Sequence, residues 1–295
     1  MLPRSDAEAA GVNGVLLSLT WYYDDGPLTL ANERTWNQFR GFQGMKVTTG
    51  NAPDPVTESD YTYFRGMDGD TLPNKGTRSA TITDSRGDPA VTDLDQYAGM
   101  AYETVQYDGA GSGKVITDTV TDPWTSASRA THSLGDTLPA QNSYLTGQSR
   151  ERVYTPYSDG RTGETETDYT HDSYGRVTRT DDLGDVTTAA DDQCVTTTYA
   201  DSTSAWILDA PDENTTVAVK CATTPVLPRD SVSDTRTYYD GSTAFGTAPT
   251  AGSVTMKQNA ASYSGSTPSF VTMSSSTVDE YGRTLKRPRT TTSRP

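Results

Sequence analysis

The stretch His171-Asp172-Ser173-Tyr174-Gly175-Arg176-Val177-Thr178 decides the fold, because its pattern returns as Val278-Asp279-Glu280-Tyr281-Gly282-Arg283-Thr284-Leu285. An Asp followed closely by Gly is typical of a tight turn, since Asp bonds to nearby backbone amides and Gly accepts a positive φ. Each copy therefore predicts a hairpin. The repeat motif is Asp172, Tyr174, Gly175 and Arg176 in the first copy, and Asp279, Tyr281, Gly282 and Arg283 in the second.

The segments around these turns are predicted to be strands. They alternate Thr, Val and Tyr, as in residues 195–199, and β-branched and aromatic residues fit a pleated sheet. Turn pairs such as Asp159-Gly160 and Asp240-Gly241 separate these segments. A hydrophobic content of 33% with a net charge of -15 would also fit a disordered chain. The 17 Tyr and 4 Trp favour an all-β fold instead, a thin sheet wetted on both faces.

The spacing of the motif predicts a repeat. The two copies lie 107 residues apart, close to five units of about 20 residues. Weaker copies place Tyr-Asp at a turn, at Tyr23-Asp24, Tyr107-Asp108 and Tyr239-Asp240. A unit of this length is one hairpin, and an isolated hairpin cannot bury a face. Stacked antiparallel hairpins that share one sheet are therefore expected.

The motif, with the Asp-x-x-Gly turn at residues 181–184, resembles the YD repeat of RHS-repeat proteins. That family includes actinobacterial polymorphic-toxin shells, toxin-complex cocoon subunits and teneurins. The resemblance implies an all-β chain of stacked antiparallel hairpins that forms part of a β-shell or spiral. It also implies a structural role, in which the shell of intact relatives encloses a C-terminal effector or toxin. Further blocks that carry the resemblance lie at residues 36–42, 65–70, 191–194, 205–208, 216–221 and 236–243.

Two departures limit what the resemblance implies. His171 and Val278 stand where a Tyr usually precedes the Asp of the motif. The Asp-Pro-x-Gly-Leu signature, at which relatives cleave themselves before a toxin, does not occur in the sequence, so self-cleavage and toxicity are not expected. We expect a fragment without that core or a toxin domain. It would comprise a poorly ordered segment at 1–20, the repeat region at 21–285 and a basic irregular tail at 286–295.

Composition excludes several classes of partner. With a pI near 4.5 the chain lacks the basic surface that binds phosphate groups, so neither nucleic acid nor membrane insertion is expected. No stretch approaches the about 20 apolar residues of a membrane helix, and no signal peptide is recognisable. The parent protein is expected to be secreted or displayed on the cell surface. The expected partners are the remaining segments of the same RHS shell and its enclosed effector.

The sequence offers no convincing catalytic constellation, and we predict that the chain is not an enzyme. His132 and His171 are the only histidines, and neither has a second ligand at metal spacing. Residues 109–114 superficially resemble a phosphate-binding loop, but they lack a Ser or Thr after Lys114, so a hairpin turn is favoured. Acidic pairs such as Asp181-Asp182 are typical of turns. No catalytic, cofactor-binding or metal-binding residue is therefore predicted, and calcium held between turns is the alternative.

Cys194 and Cys221 permit one intramolecular disulfide. Residues 195–199 and 215–220 are predicted to be antiparallel strands, and residues 205–208 a further strand between them. The two antiparallel strands would bring the cysteines within the about 5.5 Å Cα separation of a bridge. Export of the parent would supply an oxidising compartment. Two reduced thiols are the alternative, for a protein that is never exported.

A second functional hypothesis is a cell-surface adhesion or carbohydrate-binding module, with surface glycans as partners. Its basis is the Tyr and Trp content, since aromatic faces stack on sugars; Trp206 and Tyr239 are the residues whose replacement would test it. Because the Tyr residues lie beside turns, we favour a structural role in which they cover the sheet and lock adjacent hairpins.

Overall fold

Almost every regular element of the computed structural model is a β-strand. The model describes residues 40–286 apart from 51–52, 54, 71–75, 112 and 134–139, and before residue 40 it describes four short strands. Twelve strands belong to a long antiparallel sheet, and the one helical element among the described residues is a 3-10 turn, Asp95–Tyr97. The chain divides into two compact units, Met1–Thr165 and Glu166–Pro295.

The first unit contains five antiparallel strands of the sheet, in the spatial order β5-β6-β9-β10-β13. Four further strand pairs, β1-β2, β3-β4, β7-β8 and β11-β12, form separate two-stranded sheets. The strands are β1 (Ala7–Ala10), β2 (Leu16–Leu19), β3 (Trp21–Tyr23), β4 (Trp36–Phe39), β5 (Gly44–Thr49), β6 (Thr57–Tyr63), β7 (Thr81–Ile82), β8 (Val91–Thr92), β9 (Ala101–Tyr107), β10 (Val115–Thr125), β11 (Ala130–His132), β12 (Gln141–Ser143) and β13 (Thr146–Pro156).

A small aromatic core holds the first unit together. The Phe64 ring lies 5.2 Å from the ring of Tyr102 and 5.4 Å from that of Tyr97. The segment between β6 and β9 supplies Phe64 and Tyr97, and the sheet supplies Val120 and Tyr154, so the core lies between that segment and the sheet. Edge-to-face aromatic pairs contribute about 0.5–1.5 kcal/mol beyond the area that they bury.

The second unit is a succession of hairpins in which each strand from β15 to β19 pairs with the next strand along the chain. The strand β14 (Thr162–His171) contains the division between the units. The remaining strands are β15 (Val177–Asp185), β16 (Gln193–Tyr199), β17 (Pro211–Val217), β18 (Ser231–Tyr239), β19 (Val254–Ser264), β20 (Thr267–Ser275), β21 (Thr277–Val278) and β22 (Thr284–Lys286).

Polar contacts between strands partly replace aliphatic packing in this second unit. Among its described residues, few hydrophobic side chains are buried, and Val217 is the one large aliphatic residue in that group. On the β16-β17 pair, the Thr197 hydroxyl donates to Asn214 at 2.8 Å and the Thr198 hydroxyl to Asp212 at 2.6 Å. This arrangement explains how a chain with so few Leu, Ile and Phe residues forms an ordered sheet.

The prediction of an all-β fold of antiparallel hairpins is confirmed. Two local predictions were wrong. Residues 205–208 are not a strand: Ser202 and Ile207 exchange backbone hydrogen bonds of 3.0 Å across a tight loop. The strand expected at 215–220 ends at Val217, and residues 218–230 form the next loop.

The two terminal predictions lie largely outside the described residues. Of the segment 1–20 the structure describes only Ala7–Ala10 and Leu16–Leu19, and of the tail 286–295 only the last residue of β22. Within the described residues, no helix has the length and apolar character needed to cross a membrane.

Candidate functional site

The first copy of the motif closes the hairpin between β14 and β15. The backbone N–H of Asp172 donates to the Arg176 carbonyl at 3.0 Å, and the N–H of Gly175 donates to the Asp172 carbonyl at 3.1 Å. The Asp172 carboxylate accepts the N–H groups of Tyr174 at 2.8 Å and Arg176 at 3.1 Å. Gly175 has a φ of 79°, which explains the Gly at this position.

Arg176 connects this turn to the next loop at the same end of the sheet, between β16 and β17. Its guanidinium pairs with Asp172 at 2.6 Å inside the turn and with Asp201 at 2.5 Å in the loop, and it also donates to the Leu208 carbonyl. The rings of Tyr174 and Tyr199 lie 4.9 Å and 4.1 Å from the guanidinium carbon. Cation-π contacts and charge-assisted hydrogen bonds thus meet at one side chain, which is 13% exposed.

The electrostatics of this contact favour the charged forms of both partners. Burial disfavours the charge of Arg176, but the hydrogen bonds to Asp201 and Asp172 outweigh it and raise the pKa of the guanidinium. Burial likewise acts to raise the pKa of Asp172, yet the hydrogen bonds from Arg176 and Tyr174 lower it below its ordinary value. The pair therefore remains ionised over the whole neutral range.

The second copy repeats the turn, but among the described residues its Arg makes no recorded contact outside that turn. The Asp279 carboxylate accepts the N–H groups of Tyr281 at 3.0 Å and Arg283 at 2.9 Å, and it pairs with the Arg283 guanidinium at 2.6 Å. The Tyr281 ring lies 5.0 Å from that guanidinium. Unlike Arg176, the Arg283 side chain is 73% exposed.

A third turn of the same backbone form occurs at Tyr157-Ser158-Asp159-Gly160-Arg161. Tyr157 donates its N–H to the Arg161 carbonyl at 2.8 Å, and Gly160 donates to the Tyr157 carbonyl at 3.1 Å. Here the Arg pairs with Asp159 in the middle of the turn, at 2.8 Å. This copy does not match the Asp-x-Tyr-Gly-Arg pattern, because its Asp stands at the third position. The Gly-Arg pair after a Tyr-containing strand was the signal that could have found it.

Two of the weaker Tyr-Asp copies also end a strand and close a loop. Tyr239 is the last residue of β18, and the next carboxylate, Asp240, accepts four backbone N–H groups between residues 250 and 253. Asp108 follows β9 and accepts the Lys114 N–H at 2.6 Å. The described residues within 109–114 are thus part of a hairpin loop between β9 and β10, which confirms that prediction. Asp24 lies outside the described residues.

The two cysteines join the start of β16 to the loop after β17, at the opposite end of the second unit's strands. Cys194 and Cys221 form a disulfide with a Cα separation of 4.8 Å. The Cys221 N–H donates to the Asp181 carboxylate at 2.8 Å, and its carbonyl accepts from the Arg179 guanidinium at 2.5 Å. Cys194 also pairs with Asp181 across the β15-β16 ladder. The loop after β17 is therefore attached to β15 and β16.

A buried carboxylate cluster lies in the first unit, where the loop at 84–88 contacts the sheet. Ser85 donates its backbone N–H and its hydroxyl to Glu103, at 2.9 and 2.6 Å. The Arg86 guanidinium lies 3.7 Å from an Asp118 carboxylate oxygen and 3.7 Å from the Tyr154 ring centre. Asp118 is 4% exposed. Burial raises its pKa from 3.8 to about 6; Glu103 adds to the rise and Arg86 opposes it. No motif marks these residues in the sequence.

The two histidines belong to different units, His132 to the first and His171 to the second. Burial lowers the pKa of His171, so its imidazole is neutral at neutral pH, whereas His132 is exposed and belongs to the other unit. No group of three or more His, Cys, Asp or Glu side chains is placed to hold a metal ion in the described part of the chain.

A shallow depression of about 410 Å³ lies beside β19 and β20. Its lining consists of hydroxyl-bearing side chains, one Met and one Gly, and includes neither a carboxylate nor an imidazole. The residues are Gly241, Ser242, Thr243, Thr255, Met256, Ser275, Ser276 and Thr277. This depression therefore lacks the paired acid and base that hydrolysis of a glycoside or peptide requires.

The comparisons with known proteins agree with the hairpin architecture. The fold is RHS-like. The crystal structure of TcdB2-TccC3 without its hypervariable C-terminal region, a Tc toxin RHS-repeat protein, matches with a TM-score of 0.56 and 12% sequence identity. The match covers 94% of this chain and 18% of that chain, so this chain spans less than a fifth of that protein's length. At this identity the likeness concerns the fold alone. No protein-family model and no curated protein matches the sequence.

Proposed function

We propose that the chain is a structural segment of an RHS-type β-shell and performs no catalysis. The observation that carries the proposal is the contact of Arg176 with the following loop, through Asp201, Tyr199 and the Leu208 carbonyl. Contacts of this kind hold successive hairpins together at their turns, so the sheet between them needs little buried aliphatic surface. A wall with two wetted faces requires this property.

In this proposal the partners are the remaining segments of the same shell and a C-terminal effector or toxin that the shell encloses. The likeness to TcdB2-TccC3 supports the fold on which the proposal rests. The Cys194–Cys221 disulfide supports a secreted or surface-displayed parent, because structural disulfides persist in oxidising compartments.

Protease protection in the protein at its natural length tests enclosure. We expect the C-terminal segment to resist protease until the hairpin region unfolds in denaturant, so that both regions become sensitive at the same denaturant concentration. The control is the C-terminal segment expressed alone, at the same protease concentration. Cleavage of the attached segment at the rate of the isolated one, with the hairpins still intact, would rule out enclosure.

Turnover assays test the non-catalytic part of the proposal. On panels of glycosides and peptides we expect no product above the buffer rate. Product formation that is lost on Asp118→Asn, while the melting curve shows the protein still folded, would establish an active site in the carboxylate cluster.

One observation favours a carbohydrate-binding surface as a second candidate. Trp206 is 77% exposed and has a φ of 56°, in the loop that the Ser202–Ile207 bridge closes. An exposed indole can stack on a sugar ring. Glycan-array binding that is lost in Trp206→Ala and retained in Trp206→Phe would support this candidate. Equal signals for the wild type and Trp206→Ala would exclude Trp206 as a sugar-stacking residue.

A further inference from the structure

The two full copies of the motif differ in what surrounds the Arg side chain. Arg176 is 13% exposed, and its partners outside its own turn are a Tyr ring, a carboxylate and a main-chain carbonyl. Arg283 makes the same contacts within its own turn but is 73% exposed. Tyr281, the ring that stacks on it, is exposed as well. The second copy thus has the same internal geometry as the first without an outer partner among the described residues.

The third turn also has an exposed Arg, but it lacks the arrangement that the two full copies share. Arg161 is also exposed, but its turn begins with Tyr157, and its Arg pairs with Asp159 at the third position. In the two full copies an Asp at the first position holds the guanidinium beside the ring of the third residue. This arrangement occurs at both Arg176 and Arg283.

We propose that the turn of Asp279, Tyr281 and Arg283 is a docking site for a further β-hairpin of the same repeat type, which adjoins it as residues 199–208 adjoin Arg176. This proposal rests on the proposed structural role and names the partner of one surface. The contacts of Arg176 define the chemistry of the docking hairpin. Its loop supplies a Tyr ring to the outer face of the Arg283 guanidinium, an Asp carboxylate to its N–H groups and a main-chain carbonyl to the remaining donor.

The position of the second turn supports an occupant of this kind. A Cβ built at Gly282 would lie 3.3 Å from the Ser253 hydroxyl, so the turn packs beside the loop after β18. Asp240, in that loop, accepts the Ser253 N–H at 2.8 Å. One side of the turn is therefore supported by an ordered loop, and the Tyr281 and Arg283 side chains remain open to a partner.

A duplication chimera tests the proposal. In this chimera, residues 1–283 are followed by a second copy of residues 177–217. Copies of Tyr199, Asp201 and Leu208 then follow Arg283 by the same number of residues as the originals follow Arg176. The copied cysteine carries the Cys194→Ser substitution, because its disulfide partner is not duplicated. Phenylglyoxal modification of individual arginines, quantified by mass spectrometry, reports their exposure in the chimera and in the unextended chain.

We expect Arg283 to react about fivefold more slowly in the chimera than in the unextended chain, in line with the 73% and 13% exposures of Arg283 and Arg176. Arg161 is the matched control, and its rate should not change. Arg283→Ala should lower the melting temperature of the chimera and leave that of the unextended chain unchanged.

Two results would overturn the proposal. One is an Arg283 that remains as reactive in the chimera as in the unextended chain. The other is protease cleavage of the duplicated segment as fast as of an unfolded tail. A hairpin that occupies the docking site would be ordered and therefore protected from protease. Neither readout involves an effector, so this proposal and the enclosure of an effector can fail separately.

Discussion

The guanidinium carbon of Arg176 lies 4.1 Å from the centre of the Tyr199 ring, and these two residues belong to different hairpins. The Arg side chain of one turn therefore contacts the end of the strand that leads into the next turn. Asp201 follows two residues later and pairs with the same guanidinium at 2.5 Å. These two successive hairpins of the second unit are joined at their turns in this way, in addition to the ladder of backbone hydrogen bonds.

Loss of this cation should destabilise the second unit. We expect Arg176→Ala to lower the free energy of unfolding by about 2 kcal/mol, because hydrogen bonds to charged groups are lost and Asp201 loses its cation. The melting temperature would fall by about 4–8 °C. Arg176→Lys should recover little of the loss, since an ammonium cannot reproduce the planar contacts. Arg161→Ala is the control, with a change within about 0.5 kcal/mol. Equal melting curves for the two Ala variants would refute the role of Arg176.

The disulfide should contribute more to the free energy of unfolding than any single turn does. Removing it in the Cys194→Ser/Cys221→Ser double variant should cost about 3–4 kcal/mol, because the bridge closes a loop of 27 residues. Thiol titration of the denatured wild type, purified without reductant, should find no free thiol. Two titratable thiols, or an unchanged melting temperature in the double variant, would count against the bridge.

The carboxylate cluster predicts an unusual dependence of stability on pH. The folded-state pKa of Asp118 is about 6, above its ordinary 3.8, so the folded protein binds a proton more readily than the unfolded chain does. Stability from this group therefore rises as pH falls from 7 towards 4, by about 3 kcal/mol at most. Asp172 and Asp279 have lowered pKa values, so their contribution is present above about pH 4 and is lost below it.

Melting temperatures between pH 3 and pH 8 check this prediction. We expect the first unit to be most stable near pH 4–5, and Asp118→Asn to flatten its profile between pH 5 and pH 7. Hydrogen exchange of β9 and β10 amides separates this unit from the second one. A first unit that loses stability steadily from pH 7 to pH 5 would contradict the assigned cause.

The last strand of the long sheet should promote association. The strand β20 pairs only with β19 among the described strands, and its Val271 and Met273 side chains are about half exposed. Unpaired strand edges template pairing with other chains. Sedimentation velocity at micromolar concentration should therefore show association, and Val271→Lys/Met273→Lys should reduce it. A purely monomeric wild type would disprove this expectation.

The sequence predicted the local structure of the hairpins better than the contacts between them. Asp172 and Gly175 specify their turn through interactions within five residues, so the motif alone was sufficient to predict it. The partners of Arg176 lie 25 to 32 residues further on, at Asp201 and Leu208, and no local pattern encodes them. Trp206 was predicted to lie in a strand at 205–208, whereas it has a positive φ inside the loop that the bridge between Ser202 and Ile207 closes.

The buried cluster of the first unit was unpredictable for a related reason. The cluster combines one loop residue, Asp84, with two strand residues, Glu103 and Asp118. In the sequence, each resembles an ordinary turn or surface residue. Only the packing of the loop at 84–88 against the sheet buries them together. The pKa of Asp118 is a consequence of that packing.

Electron cryomicroscopy of the protein at its natural length tests the proposed shell role most directly. We expect residues 166–286 to form part of the wall of a hollow β-shell, with enclosed density on one face and the Arg283 turn covered by a neighbouring hairpin. A map in which these strands form a free-standing domain, with no cavity beside them, would contradict the shell role.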